Sequence, residues 1–90
     1  MQKDRRKVEQ ALLKKGFEQD ERHHHFFLYR AENGLLSNIR TKTSHSGKEL
    51  DDYLLGTMAR QCHLDKKQFL DLVDCPLSRT DYEREVAGHL

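Results

Sequence analysis

Residues 23–43, HHHFFLYRAENGLLSNIRTKT, carry the strongest constraint on the fold. Two extended segments, His23 to Ala31 and Leu35 to Thr43, flank Asn33-Gly34, a dipeptide whose easy access to positive φ marks an antiparallel hairpin. In the second segment Ile39, Thr41 and Thr43 alternate with Asn38, Arg40 and Lys42, so one face is polar and basic. Such a strand belongs to a sheet with one face packed and one in water. The same alternation in the first segment groups His24 with Phe26 and Leu28, and His23 and His25 with Phe27 and Tyr29. The aromatic face then needs a cover of helices.

The flanking segments supply that cover. From Asp4 to Lys15, Val8, Ala11 and Leu12 form an apolar helical stripe with Lys15 on the same side. Gly16 follows as a left-handed helix stop. Phe17 to Glu21 reads as a short strand, and SHSGK as a loop. From Asp51 or Asp52 to Cys62 a second helix places Leu54, Leu55, Met58 and Cys62 on one side. Gly56 within it, which costs about 1 kcal/mol against alanine, suggests close packing on the sheet. Asp65 with Gln68 forms a capping box for a helix bearing Phe69, Leu70, Leu72 and Val73. Cys75-Pro76 ends it, because the residue before proline avoids helical geometry. TDYE, Thr80 to Glu83, reads as the cap of a short last helix. The expected architecture is α+β: an α-β-β-β-α sandwich with a three-stranded antiparallel sheet, plus one or two C-terminal helices.

Composition bounds the function. Ninety residues make one domain, and 36% apolar with 34% charged residues fits a small core under a charged surface. No apolar run is long enough to cross a bilayer and no secretory segment follows Met1, so no membrane partner is expected. Cys62 and Cys75 lack CxxC spacing and read as reduced thiols of a cytoplasmic protein. Residues 1–48 hold 11 Lys/Arg against 6 Asp/Glu, and residues 49–90 hold 5 against 9. The first part suits a polyanion and the second a basic partner, although two solvated faces give the same counts.

The run His23, His24, His25 carries the chemistry. RNA brings its own nucleophile in the 2′-hydroxyl, so its cleavage needs a base, an acid and charge at the phosphate. Imidazole serves as either acid or base at neutral pH. Arg40 and Lys42, two apart on one face, are candidate phosphate clamps, with Arg22, His45 and Lys48 as further RNA contacts. A duplex would be read by shape and phosphates rather than base edges. His23 and His25 with His45 form the best metal-ligand set, but no Cys or carboxylate completes a recognisable pattern, and neither a metal nor a small-molecule cofactor is expected. Each feature also has a plain reading: a solvated strand end, or a charged strand guarded against edge pairing.

LLKKGF, then HHFF, a hairpin, HSGKEL and a helix closing at CHL resemble the HicA family of mRNA interferase toxins over Val8 to Leu64. The resemblance implies a double-stranded-RNA-binding-like fold, endoribonuclease activity in a toxin–antitoxin system, and a HicB-like antitoxin protein covering the active face. It sets the catalytic histidine on His24 with His25 beside it. Arg22-His23 stands where the family has a Gly-Ser or Gly-Asp pair, which keeps His23 as an alternative. It divides the chain into a HicA-like core, residues 1–64, and a C-terminal helical extension, residues 65–90. Two functions therefore stand open: an RNA-cleaving toxin, or a non-catalytic RNA-binding or protein-interaction module of the same fold.

Overall fold

The computed structural model describes residues 2–22, 25–43, 48–74 and 76–90. Strand β1 (Lys3–Asp4) leads into helix α1 (Arg5–Lys14), followed by β2 (Phe17–Gln19), β3 (Phe26–Arg30), β4 (Leu36–Lys42) and β5 (Glu49–Leu50). Helices α2 (Asp52–Gln61), α3 (Lys66–Val73) and α4 (Arg79–Glu85) and a 3-10 turn at Ala87–His89 complete the chain. Strands β2, β3 and β4 form an antiparallel sheet in that order, as expected of an α+β sandwich. A second, two-stranded sheet pairs Lys3 with Leu50 and Asp4 with Glu49. No periodicity announces strands of two residues, and the sequence reading missed this pair. No helix among the described residues is long and apolar enough to cross a membrane.

Burial follows the alternation. Phe27, Tyr29, Ile39, Thr41 and Thr43 are buried, while Asn38, Arg40 and Lys42 are exposed. Val8 and Leu12 of α1, Leu55, Met58 and Ala59 of α2, Phe69 and Leu72 of α3, and Tyr82 of α4 join them in one core. The segment 65–90 thus shares the core of the first 64 residues. Tyr82 donates its hydroxyl to the Cys62 carbonyl at 3.0 Å, and Tyr29 donates to Glu83 Oε1 at 2.6 Å.

Local signals explain the helix ends. Asp4 accepts from Arg6 N at 2.8 Å, and Asp65 and Gln68 form the expected reciprocal capping box. Helix α1 ends at Gly16, φ +97. In the hairpin only Gly34 has positive φ (+92), and Gly34 N donates to Ala31 O at 2.9 Å. The turn is therefore a type I turn followed by a left-handed glycine, not the two-residue mirror-image turn that needs positive φ twice. Between Leu28 and Arg30 the ladder shifts register by a bulge on β4, where the Ser37 hydroxyl donates to Tyr29 O at 2.8 Å.

Four details differ from the sequence reading. Strand β3 begins at Phe26 rather than His23. Ser78, not Thr80, caps α4, because its hydroxyl accepts from Asp81 N at 3.1 Å; Thr80 instead donates to Glu32 of the hairpin. A Cβ at Gly56 would meet only the Arg60 side chain, so this glycine marks no close approach to the sheet. Lys15, read as one side of an apolar stripe, is itself buried and donates to Leu72 O and Leu77 O at 3.0 and 2.5 Å, satisfying carbonyls at and beyond the end of α3.

Candidate functional site

The β3–β4 pair carries two different surfaces. On its open face Phe26 lies opposite Lys42 and Leu28 opposite Arg40. The Arg40 guanidinium carbon stands 5.1 Å and the Lys42 ammonium 5.3 Å from the Phe26 ring centre. Cation–π attraction of about 0.5–1 kcal/mol per exposed contact favours that grouping. Among the described residues no carboxylate forms an ion pair with Arg40 or Lys42, so their charge is open to an external anion. Further along this face Arg30 does pair with Glu18, at 2.5 Å, and holds the Glu18 carboxyl below its ordinary range.

The opposite face holds His25. It lies across from Thr43, whose N–H donates to the His25 carbonyl at 2.9 Å, so the two side chains share the side covered by α1. The Thr43 hydroxyl donates to Glu9 Oε2 at 2.7 Å. The same carboxylate oxygen lies 3.7 Å from His25 Nδ1, and Thr43 Oγ1 lies 3.4 Å from that nitrogen. The His25 side chain keeps 25% of its surface in solvent, enough to exchange protons while held from behind.

Cations gather on this side as well. Arg5 Nε lies 3.9 Å from the same Glu9 oxygen, one helical turn earlier on α1. Arg5 N donates to Lys48 O at 2.8 Å, which brings β5 against the start of α1. Asp4, Arg5, Arg6 and Lys48 line a cleft of about 350 Å³. Arg6 continues into a smaller hollow of about 150 Å³, shared with Glu9, Gln10, Leu13, Gln19 and Phe27. Three basic side chains against the single carboxylate of Asp4 give the cleft a surplus of positive charge that suits a phosphate.

The sequence-derived set is thereby divided. His25 and Lys48 belong to the α1 side, whereas Arg40 and Lys42 sit together on the open face. Arg22 is exposed, its N–H donating to Asp20 Oδ1 at 2.8 Å. His23, His24 and His45 lie outside the described residues, so of the candidate zinc set only His25 is described. Among the described residues no group of three His, Cys, Asp or Glu side chains is placed to hold a metal ion. Sequence reading missed Glu9, Arg5, Arg6 and Thr43. The four-residue spacing of Arg5 and Glu9, which aligns them on one helix face, was the available signal.

Comparison with protein-family models, with curated proteins and with solved structures finds no match.

Proposed function

We propose that this chain is a HicA-like ribonuclease, a toxin that cleaves mRNA in the cytoplasm through histidine acid–base chemistry. The observation that carries the reading is His25, backed by Glu9 and Thr43, with Arg5 of the basic cleft near the same Glu9 oxygen. The imidazole takes the proton of a ribose 2′-hydroxyl, and O2′ attacks the neighbouring phosphorus. The bond to O5′ breaks, and the leaving oxygen takes a proton from solvent water, giving a 2′,3′-cyclic phosphate and a free 5′-hydroxyl. Arg5, Arg6 and Lys48 offset the charge on the phosphoryl oxygens. The resemblance assigns the base to His24, which lies outside the described residues; Glu9 and Thr43 beside His25 support His25 in that role. A HicB-like antitoxin is the partner that would block the cleft.

The test is cleavage of RNA by the purified chain and its variants. His25→Gln is expected to lower turnover by roughly 10²–10⁴-fold, the usual contribution of a general acid or base. If His24→Gln loses activity and His25→Gln does not, the base is His24. If the native chain neither cleaves RNA nor arrests growth on expression, the nuclease reading fails. The non-catalytic RNA-binding module then remains, and Phe26 with Arg40 and Lys42, on a face apart from His25, favours it.

A further inference from the structure

The open face of the sheet is a cationic and aromatic surface that the cleavage chemistry does not use. We infer that it is a second RNA subsite, taking a single strand with one base against Phe26 and the adjoining phosphates on Arg40 and Lys42. The inference rests on the RNA reading above and adds the conformation of the RNA and a contact away from the scissile bond.

Three observations support it. Phe26 is half-buried on the face turned away from the core cluster, with Arg40 and Lys42 against its ring. Two cations flank that ring, and neither is neutralised by a described carboxylate. An aromatic platform with uncompensated basic side chains is the general means of holding unpaired nucleotides, whose bases are free to stack and whose backbone is a continuous anion. Finally, His25 and Phe26 are consecutive, yet the His25 ring lies beside Glu9 of α1 while the Phe26 ring lies with Arg40 and Lys42 on the open face. An RNA that touches both must turn around the border of the sheet. A stiff A-form duplex, whose bases are already stacked in pairs, cannot do so; a single strand can.

The test uses a fluorescent single-stranded 2′-O-methyl oligoribonucleotide, which lacks the attacking hydroxyl and therefore stays intact on the native protein. A duplex of the same sequence is the competitor. The native chain is expected to prefer the single strand. Phe26→Leu should weaken it by roughly 5- to 150-fold, the range of one base–aromatic stack, while Phe26→Tyr, which keeps the ring, should restore it. Replacing both Arg40 and Lys42 by Gln should reduce the slope of log affinity against log salt by about 1.4, because each phosphate contact on a single strand contributes about 0.7. Equal binding of duplex and single strand overturns the inference. So does normal binding by Phe26→Leu when Lys48→Gln binds poorly, a result that leaves RNA binding at the cleft intact. A native chain that binds neither RNA sinks both readings.

Discussion

Gly16→Ala is the most exacting test of how the sheet and the C-terminal helix are joined. Gly16 ends α1 at φ +97, where an L side chain costs about 1–2 kcal/mol through the clash of Cβ with the carbonyl. A Cβ there would also meet the Arg79 guanidinium, with Tyr29 Cε1 2.9 Å away. Neither neighbour yields easily. Arg79 Nη2 donates to Arg30 O at 2.8 Å and its guanidinium lies over the Tyr29 ring, which is fully buried. Forcing an extra methyl into such a junction costs about 1–3 kcal/mol. The two terms together give roughly 2–5 kcal/mol, and at about 4–8 °C per kcal/mol for a domain of this size the melting temperature should fall by roughly 8–40 °C. Thermal unfolding followed by far-ultraviolet circular dichroism reads the shift. In an Arg79→Ala background the steric part should shrink, leaving mainly the backbone cost. A Gly16→Ala protein that melts with the native chain would refute both the left-handed cap and the Arg79–Tyr29 junction.

Two further outcomes follow from the core. Tyr82→Phe removes the donor that satisfies the Cys62 carbonyl and should cost about 1–3 kcal/mol in urea unfolding, with no change in the slope against denaturant; an unchanged midpoint would count against that bond. Burial pushes the Cys62 thiol from 9.0 up to about 12, so in a Cys75→Ser background it should resist a thiol reagent at neutral pH until the protein unfolds. Because the folded thiol ionises later than the unfolded one, its stabilising effect is whole below pH 9 and is lost as pH rises from 9 towards 12. Rapid labelling of the native protein at neutral pH would show that Cys62 is not enclosed.

The fold was legible wherever a segment was long and strongly patterned. The period-two alternation around Asn33-Gly34 gave β3 and β4, and the stop at Gly16 and the capping box of Asp65 with Gln68 gave helix ends. What escaped were features set by tertiary partners. The β1–β5 pair forms because the chain path returns Glu49 and Leu50 beside Lys3 and Asp4, which no local pattern announces. Lys15 looked like the polar end of a stripe, because only the assembled protein places α3 carbonyls within its reach. The candidate site was legible in part for the same reason. Histidines and basic residues were visible as types, and the strand period assigned His25 and Arg40 to faces. Glu9 and Thr43 acquire a role only when α1 lies across the sheet, and the separation of Lys48 from Lys42 is a matter of chain path, not composition.

That chain path also gives the C-terminal segment a part in the site. Both surfaces depend on β3, whose first residue, Phe26, faces outward directly after His25. The strand is held at its start by Asp20 N donating to Phe26 O, and at its end by Arg30 N donating to Gly16 O, each at 2.9 Å. Midway, Tyr29 is gripped from α4: its hydroxyl donates to Glu83, which also accepts from Glu32 N at 2.8 Å, while Arg79 bonds the Arg30 carbonyl. The Glu83 carboxyl is held below its ordinary range by the Tyr29 bond first and the Glu32 N–H second, so the grip persists until moderately acidic pH. A site built on a strand gains precision from whatever fixes the strand. Residues 65–90 close the core over Tyr29 and tie down the strand that leads out of His25.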